Sequence, residues 1–204
     1  MGVAPSQEMK RRVLVIDDHL SSKTFLLKAL TERGFEVVGE GTTGKGALGL
    51  AKAAAPDVIL MAVGLADMDG IRAAQAIMEE SPFPVILLTS HYDAETIERT
   101  KGSGVMAYLI KPLREEELLP AIELAISRFA EFMSLREENE DLRKTLEARK
   151  VIERAKGILM KRQGLSEAEA FALIQKKSMD TRKSMAEMAQ AIILTEEIMK
   201  EKTA

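Results

Sequence analysis

The chain has 204 residues, which is enough for one domain of ordinary size and a second, smaller one, each with its own hydrophobic core. It contains no cysteine and no apolar run of membrane-spanning length; this excludes disulfide frameworks, thiolate metal sites and transmembrane helices, and we expect a cytoplasmic location. The net charge of −3 is unevenly divided: residues 149–204 carry +4 and residues 1–148 carry −7, so only the C-terminal part is suited to bind nucleic acid.

Residues 11–127 alternate between short apolar runs and helical patterns. The runs are rich in Val, Ile and Leu, as in strands that are buried on both faces of a parallel sheet. They lie at residues 13–16, 36–39, 57–61, 84–88 and 106–110. The pattern predicts an α/β domain with five parallel strands over residues 11–127, preceded by a flexible tail at residues 1–10.

Polar residues follow several of these predicted strands. Asp17 and Asp18 follow the first strand, Thr89 the fourth and Lys111 the fifth. Because ligands of such sheets bind at the carboxyl ends of the strands, these side chains are expected to share one pocket. Two carboxylates can hold Mg²⁺, while a hydroxyl and an ammonium group can bind phosphoryl oxygens.

This arrangement resembles the receiver domain of two-component response regulators, which has a flavodoxin-like fold. The resemblance implies Mg²⁺ at Asp17 and Asp18, a phosphoryl pocket of Thr89 and Lys111, and Tyr108 as the switch aromatic. At the position of the phosphoryl-accepting aspartate the chain has Ala62, whose methyl group cannot attack phosphorus. We therefore expect weakened Mg²⁺ binding and no phosphorylation.

The resemblance also implies a partner for the receiver, a cognate sensor histidine kinase, if the parent chain has Asp at position 62. An engineered Asp→Ala exchange and the natural loss of the acceptor would both give this sequence. Ala66, where the family usually has proline, favours natural loss, whereas the otherwise complete pocket favours a single recent or deliberate change. Both origins remain open.

Two further acids and one glycine-rich segment follow nearby strands. Asp69 is predicted to cap the helix that begins near Gly70, and Asp67 to be a solvated loop acid. The segment 39–45 fits the GxxxxGK phosphate-binding pattern, but Gly46 stands where a Ser or Thr must bind Mg²⁺. We interpret this segment as the turn that leads into a helix from about Thr43.

A long helix is predicted to join the two domains, because glycine is absent from Glu115 up to Gly157. Its part at residues 128–150 shows a heptad pattern. The a positions are Phe132, Asn139 and Leu146, and the d positions are Leu135 and Leu142. An Asn at one a position with Leu at d favours a parallel two-stranded coiled coil, so we expect a homodimer. The alternative is an amphipathic helix that packs on its own sheet.

Residues 151–204 are predicted to form a small all-α domain of three helices. Lys150, Arg154, Gly157 and Lys161 are spaced i, i+4, i+7 and i+11, which places them on one helical face. A glycine there destabilises the helix by about 1 kcal/mol relative to alanine, so it indicates a close approach of a nucleic-acid backbone or of a neighbouring helix. The alternative interpretation is that the basic face is only exposed to solvent and binds no partner.

The two later helices are predicted to start at Ser166 and Ser184, since Glu169 and Glu187 follow each by three residues. Phe171 is expected to be the largest core residue, which would leave no aromatic surface for base stacking. RNA contact is then expected from further cations, aided by free N–H groups at the start of the third helix. These cations are Lys156, Arg162, Lys176, Lys177, Arg182 and Lys183.

The C-terminal region resembles the ANTAR output domain of bacterial antitermination regulators over about residues 148–195. The likeness is carried by AKGILM, by SEAEAF and by SM with Arg182. It implies that a dimer binds tandem stem-loops with hexanucleotide loops in nascent mRNA and prevents terminator formation; it does not imply an enzyme. The alternatives are a DNA-binding response regulator and a pseudo-receiver adaptor that binds a protein. The apolar and acidic last helix argues against DNA reading, and the basic stripe is unexplained in an adaptor.

Overall fold

The computed structural model describes residues 10–90, 98–100 and 103–201, without the side chains of residues 200 and 201. The predicted flexible tail therefore lies outside the described residues, apart from Lys10. The chain divides into two compact units, residues 1–133 and residues 134–204. Within the described part of the chain, no helix is long and apolar enough to cross a membrane.

The first unit alternates strands with helices, as its sequence predicts. Its strands are β1 (Arg12–Ile16), β2 (Glu36–Gly41), β3 (Val58–Ala62), β4 (Val85–Thr89) and β5 (Ala107–Ile110). Its helices include α1 (Leu20–Glu32), α2 (Gly44–Ala54) and α3 (Gly70–Glu80). Helix α4 (Glu115–Gln163) begins in this unit and contributes residues to both.

All five strands pair in parallel, in the order β2-β1-β3-β4-β5. The predicted flavodoxin-like five-stranded sheet is thus confirmed. The chain order reverses next to β1, which lies between β2 and β3. At such a switch point the connections leave the sheet in opposite directions and open a crevice at the carboxyl ends of the strands.

Alternation of side chains along the strands gives the sheet two apolar faces. Val13 and Val15 of β1 pack with buried residues of α1 and the start of α4, such as Leu26 and Leu118. The intervening Leu14 packs with residues of α2 and α3. Successive strand residues point to opposite faces, so continuous apolar runs are needed to cover both.

The second unit consists of the rest of α4 with α5 (Glu167–Thr181) and α6 (Met185–Glu201). Both predicted capping boxes are present. The hydroxyl of Ser166 accepts from the Glu169 N–H, and that of Ser184 accepts from the Glu187 N–H; each Glu carboxylate accepts from the serine N–H in return. These caps fix where α5 and α6 begin.

The core of the helical unit is built from small and aliphatic side chains. Its buried members are Ala155, Leu159, Ala170, Ile174, Ala189 and Ile193. The prediction that Phe171 is the largest core residue is wrong, because its side chain is 43% exposed. Ala170 and Ile174 occupy the inward face of α5, and the adjacent position 171 lies at the border of that face.

Candidate functional site

The predicted pocket at the carboxyl edge of the sheet is centred on Asp17. This residue follows β1, and its carboxylate is fully buried. Lys111, which follows β5, donates from Nζ to Asp17 Oδ2 at 2.6 Å, and the His19 N–H donates to Oδ1 at 3.0 Å. The hydrogen bond between Lys111 and Asp17 therefore links the end of β5 to the end of β1 at the carboxyl edge of the sheet.

Asp18 is more exposed than Asp17 and has different partners. The His19 ring Nδ1 lies 2.9 Å from Asp18 Oδ1, and the Ala66 N–H donates to Oδ2 at 3.2 Å. Asp18 therefore connects β1 to the loop that follows β3. Ligand atoms of Asp17, Asp18 and His19 all lie within 4.8 Å of one another.

The charge state of Asp17 follows from these contacts. Burial of its carboxyl group acts to raise the pKa, but the hydrogen bonds from Lys111 and the His19 N–H, together with the Lys111 charge, act to lower it and outweigh burial. The pKa of Asp17 is therefore lowered, and the residue is a carboxylate at neutral pH.

Ala62 is the last residue of β3, and its side chain is buried. The start of α3 comes very close here: the Gly70 N–H donates to the Val63 carbonyl at 2.8 Å, and a Cβ on Gly70 would clash with the Ala62 carbonyl oxygen. Position 70 therefore requires glycine. Asp69 caps α3 by accepting from the Ile71 N–H at 2.8 Å, as predicted.

The remaining predicted pocket residues lie on β4 and β5. Thr89 is the last residue of β4 and is nearly buried, while its carbonyl accepts from the Lys111 N–H at 2.7 Å. Tyr108 on β5 is 41% exposed. The structure thus brings Asp17, Thr89 and Lys111 to one edge of the sheet and leaves the aromatic ring of Tyr108 partly in solvent.

Asp67 has a defined structural role that the sequence did not reveal. Its carboxylate accepts from the N–H groups of Gly44 and Lys45 at 2.8 and 3.1 Å, at the first turn of α2. Burial acts to raise the pKa of Asp67, but these backbone hydrogen bonds outweigh it and the pKa is lowered. The prediction of a merely solvated acid was incomplete. Since Asp67 occupies the amide groups of Gly44 and Lys45 in the GxxxxGK segment, these two groups are not available for phosphate.

The predicted dimer seam forms a row along α4. Phe132, Leu135, Leu142 and Leu146 are between 39% and 62% exposed, and Asn139 is exposed as well. None of these side chains belongs to the core clusters of the described residues. A surface helix rarely exposes an apolar heptad row without a partner, so the row is available for a second chain.

The basic stripe, Lys150, Arg154, Gly157 and Lys161, lies on the solvent-exposed face of α4. It is opposite the buried Ala155 and Leu159. A Cβ added at Gly157 would meet no atom within 4 Å, so packing within the described chain does not require this glycine. The interpretation in which Gly157 admits a neighbouring helix of the same chain is therefore not supported.

Acidic residues of α6 pair with cations of α4. Arg154 donates to Glu197 at 2.9 Å, and Arg162 Nε lies 2.5 Å from Glu196 Oε2. Lys150 pairs with Glu147 on its own helix at 2.6 Å. The pairs of Arg154 and Lys150 are exposed on both sides, and exposed pairs contribute little to stability.

Lys156 differs from the other predicted RNA-binding cations because it is buried. Its ammonium donates to Glu153 at 2.9 Å and to Glu167 at 2.7 Å, which ties α4 to α5. The hydrogen bonds that Lys156 donates to Glu167 and Glu153 raise the pKa of Lys156, and the contact with Glu167 lowers the pKa of Glu167. We assign Lys156 to the stability of the helical unit.

The remaining cations surround the turn between α5 and α6. Lys176, Lys177, Arg182 and Lys183 are all exposed. Arg182 has φ +57° and ends α5, and the Lys183 N–H donates to the Ser178 carbonyl at 3.2 Å. The expectation of free N–H groups at the start of α6 is wrong for Ser184 and Glu187, whose N–H groups are used by the capping box.

Comparison with known proteins identifies two families in the chain. The response regulator receiver domain matches residues 13–123, and the ANTAR domain matches residues 140–193. The transcriptional regulatory protein PdtaR of Mycobacterium tuberculosis is 40% identical over 185 residues, which covers 91% of this chain and 90% of PdtaR. The response regulator protein VraR of Staphylococcus epidermidis is 29% identical over 174 residues, covering 84% of this chain and 74% of VraR.

Solved structures resemble the receiver part of the chain. The signal receiver domain of a modulated diguanylate cyclase from Desulfovibrio desulfuricans matches with a TM-score of 0.56 and 30% identity, covering 59% of this chain and 97% of that domain. The Vibrio cholerae chemotaxis protein CheY4 matches with a TM-score of 0.53 and 29% identity, covering 56% of this chain and 97% of CheY4.

Proposed function

Because the chain belongs to the response regulators that join a receiver domain to an ANTAR domain, we propose that it binds paired RNA stem-loops as a dimer and prevents terminator formation in nascent mRNA. The family is regulatory rather than catalytic. It implies RNA binding for the ANTAR part and a kinase for the receiver part.

One observation carries the RNA-binding proposal: an exposed cationic stripe with a glycine at its centre that nothing in the described chain requires. Gly157 has no side chain and no neighbouring atom near its Cβ position, so the surface of α4 is lower between Arg154 and Lys161. A phosphate backbone that approaches there could contact both cations, since they lie less than two helical turns from Gly157. The glycine would then be retained for close approach despite its effect on helix stability.

The exposed cations around the α5–α6 turn support the same assignment. Lys177, Arg182 and Lys183 are exposed and add positive charge at a second place on the helical unit. RNA loops are recognised through bases and phosphates together, so two cationic regions suit a folded hairpin. Phe171, being exposed, is also available for stacking, contrary to the expectation from sequence.

The paired stem-loops are proposed from the seam on α4. A parallel coiled coil through Leu135, Asn139 and Leu142 would hold two helical units of a dimer near each other. Two adjacent hairpins on one RNA would then bind with an affinity that exceeds that of either hairpin alone.

For the receiver we propose a form that does not accept phosphate. Ala62 supplies no nucleophile, and Asp17 is already paired with Lys111. Asp17 and Asp18 are oxygen donors of the kind that Mg²⁺ prefers, and they would hold the ion weakly because a third carboxylate is missing. When bound, Mg²⁺ would supply positive charge at the carboxyl edge of the sheet.

The proposal is tested by gel shift with three probes: a tandem stem-loop RNA, an RNA of the same composition with scrambled loops, and duplex DNA. We expect the tandem stem-loop to bind best. Preference for the DNA would favour a DNA-binding regulator, and binding to none of the probes would favour an adaptor that binds protein.

A salt titration of the preferred RNA separates direct contact from general attraction. If about five phosphates are neutralised per stem-loop, log affinity should fall against log salt with a slope of about −3.5. Lys161→Ala should flatten this slope by about 0.7, whereas Lys156→Gln should leave it unchanged because Lys156 is buried. Equal slopes for Lys161→Ala and the unmodified chain would remove Lys161 from the proposed contact.

A further inference from the structure

A groove of about 450 Å³ opens among α4, α5 and α6 within the helical unit. Its floor is apolar and is formed by Ile158, Leu159, Leu173, Met188 and Ile192. Its rim is polar and includes Arg162, Gln163, Lys177, Thr195 and Glu196. The volume falls in the range of about 300–1,000 Å³ that is typical of ligand pockets, and an apolar floor with few polar groups is their usual lining.

The rim carries more positive than negative charge. Arg162 and Lys177 come from α4 and α5, while Glu196 on α6 is the acid beside them. Glu196 is 11% exposed in its side chain and holds the Arg162 guanidinium at 2.5 Å. Because this contact already orders the arginine, a ligand would pay little further entropy to use its remaining N–H groups.

The groove lies directly beside the basic stripe. Arg154, Ile158 and Arg162 are spaced by four residues, so they follow one another along a single side of α4. Arg154 belongs to the stripe, and Ile158 and Arg162 line the groove. A ligand whose phosphates lie on the stripe can therefore place an uncharged, flat group into the groove one turn away.

An unpaired nucleobase has the required chemistry. It is flat and largely apolar on its faces, it carries polar atoms on its edge, and it is attached to a phosphate that suits the cationic rim. Bases in RNA loops are splayed out of the stack and are read in this way. We propose that the groove receives one unpaired base of the RNA loop, with Arg162 and Lys177 at its edge and phosphate; this inference rests on the proposed RNA-binding function.

The test places a bulky side chain at the edge of the groove. Ala191 lines the groove and is exposed, so Ala191→Phe adds a ring there without replacing a core residue. Ala168→Phe is the matched control, since Ala168 is exposed on α5 and does not line the groove. The probe is a hairpin with a six-nucleotide loop, selected by the full-length unmodified chain from hairpins with randomised loops. Each loop position is then replaced in turn by an abasic nucleotide.

We expect one loop position at which the abasic change weakens binding about tenfold, because the contact of that base with the apolar floor of the groove is lost. Ala191→Phe should weaken the intact hairpin by a similar factor, and the abasic change should have no further effect on this variant. Ala168→Phe should bind like the unmodified chain. A 2-aminopurine at the sensitive position should brighten on binding, because it leaves the stack and no Trp is present in the chain.

The inference would be overturned if Ala191→Phe and every abasic change weakened binding by independent factors that multiply in the combination. It would also be overturned if a folded Ala191→Phe protein bound the intact hairpin as tightly as the unmodified chain does. In those cases hairpin binding that still depends on Lys161 would leave the proposed function intact. If Ala191→Phe does not fold, the 2-aminopurine signal decides with the unmodified chain: no brightening at any loop position would refute the inference. Failure to select any hairpin would refute both proposals together.

Discussion

Gly157→Ala separates the stability of α4 from its contact with RNA. The position is inside the helix, and a Cβ there meets no atom within 4 Å, so the substitution introduces no clash. Only the intrinsic preference of alanine for the helix remains, which stabilises by about 0.8–1 kcal/mol. For a helical unit of this size that corresponds to a rise in melting temperature of about 4–8 °C.

The same methyl group should weaken RNA binding. It raises the surface of the helix between Arg154 and Lys161, where we propose that the backbone of the RNA comes close. Thermal unfolding followed by circular dichroism gives the stability, and a fluorescence anisotropy titration with the tandem stem-loop gives the affinity. We expect the two measurements to change in opposite directions, with a more stable protein that binds RNA less tightly.

Two glycines provide matched controls. Gly49 in α2 also has open space around its Cβ position, so Gly49→Ala should stabilise the receiver and leave RNA affinity unchanged. Gly164 has φ +67°, a conformation that alanine adopts poorly, so Gly164→Ala should destabilise the helical unit. A Gly157→Ala protein that is stabilised and binds RNA unchanged would refute the close-approach argument; a destabilised one would refute the assignment of open space.

Four further predictions concern other parts of the chain. Ala62→Asp should take up an alkali-labile phosphate from acetyl phosphate, seen by mass spectrometry, and Ala62→Asn should not; a stable phosphate on the unmodified chain would contradict the argument from Ala62. Leu142→Asp should shift the sedimentation equilibrium toward monomer by placing a charge at the seam, whereas Lys144→Asp should not, and equal masses for both would count against the coiled coil. The hydrogen bond from Lys156 lowers the pKa of Glu167, so its stabilisation is complete above the ordinary carboxyl pKa and is lost as the pH falls through the lowered one. Glu167→Gln should therefore flatten the acid side of the stability profile measured by denaturant unfolding, and an unchanged profile would remove the pair from the explanation. Phe171→Ala should lower the free energy of unfolding by less than the about 3–5 kcal/mol that is lost when a buried phenylalanine is replaced by alanine. A larger loss would mean that the ring is buried in solution.

The strands and helix starts could be predicted because their causes are local. Continuous apolar runs identify strands that are buried on both faces, and a serine followed three residues later by Glu169 or Glu187 marks the start of a helix. The polar residues at the ends of β1, β4 and β5 could be grouped as well, since parallel strands place their carboxyl ends at one edge. These inferences need no knowledge of which helix contacts which.

The features that the sequence did not reveal depend on contacts between distant elements. Asp67 caps α2 across 23 residues of sequence, and Glu197 pairs with Arg154 across 43. Helical periodicity predicts which face of a helix a residue lies on, but not which residue of another helix it contacts. Lys156 was therefore grouped with the other cations, although it donates a hydrogen bond to Glu167. Phe171 was misplaced for the same reason, because its position at the border of the inward face depends on how the three helices pack.

The contacts of Asp17 show how the receiver domain accommodates this buried carboxylate while position 62 is an alanine. A buried carboxylate is costly unless it is paired and hydrogen-bonded, and Lys111 together with the His19 N–H meets that need for Asp17. Asp18 is similarly used by the Ala66 N–H, which holds the loop after β3. With Ala at position 62, Asp17 is therefore not left as an unpaired buried charge. If the receiver does not accept phosphate, as we propose, regulation would have to act through binding at this edge of the sheet or through the proposed dimer seam on α4.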